Sequence, residues 1–232
     1  MITDCIIAAR NESETVADVV RVCRQVSFVR DVIVVDDGSD DDTAALSERA
    51  GAKVIRRDGS VGSKAHAMAA GVKASDADLV LFVDADLLGI TPDHLEQICR
   101  PTLDGRATMS LGTFDYRFWN WLVLRFPPTT GERIIPRWVF EAIPPERLDG
   151  YTIEIMINAV VTEARLKSNA RTMKGVTHRT KRDKFGPVEG WRRSWKMFWN
   201  LVGLLRVVRA RTYWFYLRDL TIEQPALPGP PA

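Results

Sequence analysis

Apolar residues in this chain gather into short continuous runs, Ile6-Ile7-Ala8-Ala9, Val32-Ile33-Val34-Val35 and Leu79-Val80-Leu81-Phe82-Val83, each cut off by charged or polar residues. Continuous rather than alternating apolar runs predict strands buried on both faces, as in a parallel sheet covered by helices. Strands are expected over 2–9, 31–36, 53–55 and 79–83. Apolar positions at helical spacing predict helices near 13–27, 42–50, 64–74 and 92–100. Helix starts are legible, since Asp41 to Thr43 supplies capping oxygens before Ala44 and Thr91-Pro92 opens the fourth helix. The pattern is that of an α/β protein with a single doubly wound, mainly parallel sheet flanked by helices.

Further along, 107–113 reads as a strand, and an aromatic-rich stretch over 114–126 is closed by Pro127-Pro128. Thr130-Gly131-Glu132-Arg133-Ile134-Ile135 reads as a strand entering from a turn, followed by a short helix from Pro136 and a longer one from Gly150-Tyr151 through Ala164. The last strand is expected over 172–177, with a Lys-, Arg-, Gly- and Pro-containing loop over 178–190. Apolar Trp191, Trp195, Phe198, Val202 and Leu205, flanked by Lys and Arg, predict an amphipathic C-terminal helix over 191–218, broken near Arg211-Thr212. A disordered tail is expected over 219–232. The main domain is thus 1–190, with a first half over 1–90 and a second over 91–190.

The apolar runs end in acids: Arg10-Asn11-Glu12 after the first, Asp36-Asp37 after the second and Asp84-Ala85-Asp86 after the fourth strand. Open α/β sheets keep ligands at the C-terminal ends of their strands, and paired carboxylates there suit a hard divalent cation, Mg²⁺ or Mn²⁺. Lys64 follows the turn Asp58-Gly59-Ser60-Val61-Gly62-Ser63 and begins a helix, a placement that suits an anion. Neither a phosphate-binding P-loop nor a dinucleotide fingerprint is present. Asp40 to Asp42 read as a solvated helix cap.

In that order, Ala-Arg-Asn-Glu, Val-Val-Asp-Asp-Gly-Ser-x-Asp, Lys64 after a Gly-containing turn, and Asp-Ala-Asp resemble the nucleotide-sugar half of family 2 glycosyltransferases with the GT-A fold. The resemblance, firm over 2–90 and looser over 129–186, extends to polyprenyl-phosphate glycosyltransferases and glucosyl-3-phosphoglycerate synthase-like enzymes. It implies a donor site formed by Ala8, Arg10, Glu12, Asp36, Asp37, Lys64, Asp84 and Ala85, with a divalent cation on Asp86, Asp84 and His178. It implies an acid at Glu154 that takes the acceptor's proton, with Asp149 as the alternative base. Thr130, Glu132 and Arg133 would lie beside the acceptor, Arg133 clamping its phosphate. Ser63 stands where many members have Gly. Inverting and retaining chemistry both stay open.

Charge narrows the acceptor. Residues 165–218 hold fifteen Lys or Arg against two acids, Asp183 and Glu189, in a chain whose net charge is only +2. Such a stretch attracts phosphate or anionic lipid, so the expected partners are a UDP- or GDP-linked sugar and a phosphorylated acceptor, either polyprenyl phosphate or a small metabolite. Peripheral contact with an anionic membrane and a homodimer are compatible with it, whereas no nucleic-acid motif is present. Cys5, Cys23 and Cys99 are odd in number and fall within predicted elements, as buried free thiols of a reducing compartment do. With no secretory leader pattern and an apolar 197–208 segment shorter than the ~20 residues of a spanning helix, a cytoplasmic location follows, with the inner membrane face as an option. Two other functions use similar parts: a nucleotide-sugar nucleotidyltransferase, which needs glycines after the first strand that Ala8 to Glu12 lack, and a non-catalytic nucleotide-sugar binder.

Overall fold

The computed structural model describes residues 1–57, 63–115, 130–148, 153–178 and 210–223. The expected Gly-containing turn before Lys64, most of the aromatic stretch, Asp149, the basic loop after His178, the 191–209 part of the C-terminal helix and the tail from 224 lie outside these residues. Strands β1 (Thr3–Ala9), β2 (Val29–Asp36), β3 (Lys53–Arg56) and β4 (Leu79–Phe82) alternate with helices α1 (Val16–Arg24), α2 (Thr43–Arg49) and α3 (Lys64–Ala74). A two-residue strand β5 (Leu87–Leu88), helix α4 (Pro92–Leu103), β6 (Met109–Phe114), β7 (Arg133–Pro136) and α5 (Arg137–Glu141) follow. The described chain continues with α6 (Ile153–Glu163), β8 (Ser168–Met173), β9 (Thr177–His178), α7 (Ala210–Asp219) and β10 (Leu220–Glu223).

Eight strands form one sheet in the order β10-β8-β6-β7-β4-β1-β2-β3, and β5 pairs with β9 separately. All pairings in the large sheet are parallel except those of β7 with β4 and β6. Alternate residues serve opposite faces: Cys5, Ile7, Val32, Val34, Leu79 and Leu81 pack under α1 and α4, while Ile6, Val80, Phe82, Met109, Leu111 and Ile135 pack under α3 and α6. This two-sided burial is why the runs lack polar alternation. Helix α3 sits close on β1 because residue 71 is glycine; a Cβ there would stand 2.4 Å from Ile6 Cγ2.

The first four strands and helices coincide with the spacing-based expectation to within a few residues. Helix α4 is capped as anticipated, with Thr91 accepting from the His94 amide and Pro92 at the first helical position. Two differences lie at the far edge. The strand expected over 172–177 runs over Ser168–Met173, with Thr177–His178 as a separate strand. Leu220–Glu223, expected within a disordered tail, adds to the sheet beside β8. Helix α7 is continuous through Arg211-Thr212 and packs on α6, with the Arg165 guanidinium 4.8 Å from the centre of the Phe215 ring.

Candidate functional site

Parallel pairing puts the C-terminal ends of β1, β2, β3 and β4 at one edge of the sheet, with Ala9 opposite Asp36, Asp36 opposite Arg56 and Ile6 opposite Phe82. Because β7 runs the other way, its first residue, Arg133, lies opposite Phe82 and brings Thr130 to Glu132 to that same edge. Lys64 at the start of α3 and Glu154 in the first turn of α6 meet there. The edge therefore gathers loops distant in the chain, from Ala9 to Glu154, at the strand ends where open α/β sheets keep their ligands.

The first two acidic loops are tied to each other. Asn11, at φ 56, receives a hydrogen bond on its amide oxygen from the Asp40 N–H (2.9 Å), and its own N–H donates to Ser39 Oγ (3.0 Å). Thr43 Oγ1 accepts from the Glu12 N–H at 2.8 Å, and Asp41 accepts from the Ser13 and Thr43 amides. Burial pushes the Asp41 carboxyl up, but the hydrogen bonds from Thr43 and Ser13 outweigh it and hold its pKa below the ordinary value. Asp41 is thus more than a solvated cap. Asp36 accepts from the Ser39 amide and hydroxyl, and Asp37, almost fully buried, pairs with Arg57. Ala8 turns its side chain into the core, so it could offer a ligand only backbone, whereas Arg10 is exposed. Thr15 Oγ1 donates to the Ala85 carbonyl at 2.8 Å, locking the Asp84-Ala85-Asp86 turn to the start of α1.

Lys64 joins the two halves. Its Nζ lies 2.6 Å from Asp84 Oδ1 and 2.8 Å from Glu154 Oε1, so one ammonium offsets the repulsion between two carboxylates. Burial alone would lower the Lys64 pKa; the charges of Asp84 and Glu154 outweigh it and raise it above the usual lysine value. The lysine assigned to the donor and the acid assigned to the acceptor's proton are direct neighbours.

Thr130, Glu132 and Arg133 are all buried, and the turn they flank presses on Asp84: a Cβ on Gly131 would stand 2.2 Å from Asp84 Oδ1. Glu132 accepts from Thr130 Oγ1 through one oxygen, while its other oxygen, Oε1, is buried without a hydrogen-bond partner among the described residues. Burial pushes the Glu132 carboxyl up to about 8, reinforced by the charge of Asp84 and opposed by the Thr130 bond and by Lys64. Arg133 is fully buried and donates to the Thr130 carbonyl, the Glu154 carbonyl (3.2 Å) and Asn158 Oδ1 (3.0 Å). The guanidinium expected to clamp the acceptor's phosphate is bonded here to oxygens of the protein itself.

Among the described residues no three His, Cys, Asp or Glu side chains are already gathered into a metal cage. Strand β5 pairs with β9 so that Leu87, the residue after Asp86, lies opposite His178, whose exposed ring rests 5.2 Å from that of Phe114. Carboxylates such as Asp84 and Asp86 match the donor chemistry of Mg²⁺ or Mn²⁺, to which the His178 imidazole would add a softer donor. The residues that the spacing alone does not single out are Arg57, Gly131 and Asn158. Asn158 did leave a signal, a polar residue one turn after Glu154 within the apolar run Ile155 to Val161.

An open, mostly parallel sheet whose strand ends carry these acids around one lysine defines a ligand-binding α/β protein of the doubly wound class. The chain belongs to glycosyl transferase family 2, whose model matches residues 4–160. Among curated relatives, glucosyl-3-phosphoglycerate synthase of Mycolicibacterium smegmatis is 31% identical over 106 residues, 42% of this chain and 35% of that enzyme. The 4,4'-diaponeurosporenoate glycosyltransferase of Staphylococcus aureus is 35% identical over 97 residues, covering 40% of this chain and 26% of the relative. The matches thus span about a third or less of these relatives' lengths.

Solved structures of glucosyl-3-phosphoglycerate synthase from Mycobacterium tuberculosis share the fold. The complex with phosphoglyceric acid superposes with a TM-score of 0.64 at 24% identity, over 77% of this chain and 72% of that one. The complex with Mg²⁺ and uridine diphosphate gives 0.66 at 23% identity, over 77% and 71%. The architecture is GT-A.

Proposed function

We propose that the chain transfers a sugar from a UDP- or GDP-linked donor to a phosphorylated acceptor, with a divalent cation. The observation that carries this reading is the contact of Lys64 with both Asp84 and Glu154, which unites the donor-side motif and the helix-borne acid in one site. In this reading Asp36, Asp37 and Glu12 border the nucleoside, and Lys64 faces the diphosphate. Asp86, Asp84 and His178 would hold Mg²⁺ or Mn²⁺, which when bound supplies charge neutralisation for the departing diphosphate. Glu154 accepts the proton of the acceptor hydroxyl as the sugar is attacked. Mycobacterial structures of the same fold hold Mn²⁺, UDP-glucose and phosphoglyceric acid together, which supports this donor, cation and acceptor chemistry.

The acceptor is assigned a phosphate because the 165–218 stretch is so basic, and a small soluble molecule is favoured by the phosphoglyceric acid and glycerol 3-phosphate present in the mycobacterial complexes. The direct test incubates the protein and Mn²⁺ with UDP-glucose or a GDP-sugar, and with 3-phosphoglycerate, glycerol 3-phosphate or a polyprenyl phosphate, followed by mass spectrometry. A glycosylated phosphate compound is expected. Formation of a nucleoside triphosphate and a sugar 1-phosphate in a parallel incubation with added pyrophosphate would point to nucleotidyl transfer instead, and binding without any turnover would make the chain a nucleotide-sugar binder.

A further inference from the structure

We infer that Arg133 is a positioning residue for the proposed sugar transfer, acting with Asn158 to hold Glu154 at a fixed place relative to Asp84. The inference rests on that functional reading and goes beyond it, since Arg133 touches neither donor nor acceptor in this role. Four bonds among the described residues form the clamp. Arg133 Nε and Nη2 donate to the Thr130 carbonyl at 3.1 and 2.5 Å, and Nη1 divides itself between the Glu154 carbonyl at 3.2 Å and Asn158 Oδ1 at 3.0 Å. Glu154 and Asn158 are one helical turn apart, so a single guanidinium grips one face of the start of α6.

The other hand of the clamp reaches Asp84. Thr130 is joined to Gly131, whose missing Cβ lets the turn lie against the Asp84 carboxylate. Lys64 closes the circuit from the side-chain direction, bonded to Asp84 at 2.6 Å and to Glu154 at 2.8 Å. Asp84 and Glu154 are therefore spaced twice, once through Lys64 and once through the fully buried Arg133. The lysine can exchange a carboxylate for a ligand phosphate; the second brace keeps the acid in place when it does. A lysine at 133 would keep the positive charge but has no planar fork with which to reach three oxygens.

The test compares Arg133→Lys, Asn158→Ala and Glu154→Gln, alone and combined, using UDP release from UDP-glucose with Mn²⁺ and 3-phosphoglycerate. With the clamp loosened, turnover falls roughly ten- to a hundredfold, as a small misplacement of a reacting group does, while KM for the donor changes by less than about threefold. Combining Arg133→Lys with Glu154→Gln should slow the reaction far less than the product of the two single losses, because the brace serves to place that acid. Multiplied losses in the double variant, or a loss confined to KM, would overturn the inference. Hydrogen exchange needs no substrate: Arg133→Lys should speed exchange together in 130–133 and in the first two turns of α6, and unchanged exchange in α6 would overturn it as well. A wild-type protein that transfers no sugar would defeat the functional reading and the catalytic consequence with it, while the exchange result still judges the clamp.

Discussion

Two buried acids, Glu132 and Glu154, are treated differently by the fold. Glu154 has the Lys64 ammonium at 2.8 Å, whereas Glu132 has the Thr130 hydroxyl and a second oxygen without a partner among the described residues. The folded protein keeps the Glu132 proton up to about pH 8, while an unfolded chain releases it near the ordinary glutamate value of about 4.3. Between these values the folded state binds one more proton than the unfolded, so stability falls as pH rises, by roughly 1.4 kcal/mol per pH unit. Glu132→Gln should remove that slope: the wild-type melting temperature should decline relative to the variant between pH 5 and 8. Parallel curves would contradict a neutral buried Glu132. Glu154→Gln keeps the shape and loses the charge, so donor binding should persist while transfer drops by roughly 10²–10⁴-fold; near-normal turnover would move the role to another acid. Lys64 and Asp84 stand out by their helix-start and strand-end settings, and Glu154 by the family resemblance. Their mutual contact was not legible, because it depends on how residues up to 90 apart in sequence are brought to one edge. Nor was the inward turn of Arg133, since a charged residue after Gly-Glu reads equally well as exposed.

At the scale of elements, α3 links packing to chemistry, because the helix that presents Lys64 is seated on β1 through Gly71. Gly71→Ala places a methyl group against Ile6, which overpacks the interface and should cost ~1–3 kcal/mol. The same displacement should disturb the Lys64 bridge, so a lower melting temperature and a lower turnover are expected together. A variant as stable and as active as wild type would show that α3 can shift freely on the sheet. The elements that spacing located well are those with dense apolar runs, β1, β2 and β4, each buried on both faces. β8 was displaced in the sequence pattern because Ser168-Asn169-Ala170-Arg171-Thr172-Met173 contributes only Ala170 and Met173 to the apolar cores. Edge strand β10 alternates Leu-Thr-Ile-Glu as a half-exposed strand should, yet its shortness and the Pro-rich residues after it hide the signal.

The molecule as a whole separates its charge: the acids gather at strand ends while the 165–218 stretch carries fifteen Lys or Arg against two acids. Among the described residues no helix is long and apolar enough to cross a membrane. Sedimentation with anionic vesicles that is lost at high salt would support an interfacial role for the basic stretch, and a protein that stays in the supernatant with anionic and neutral vesicles alike would leave the soluble acceptor as the better fit. In the proposed function Asp84, Asp86 and Lys64 form one diphosphate site completed by a divalent cation. Thermal melting with UDP or GDP tests it most directly, with Mn²⁺ or with a chelator, on wild type and Asp86→Ala. With nucleotide about a hundredfold above its dissociation constant, the cation-containing wild-type sample should gain ~2.7 kcal/mol of stability. The gain should vanish with chelator and in Asp86→Ala, and weaken in His178→Ala. Equal shifts with and without the cation, or full shifts in Asp86→Ala, would contradict the site described here.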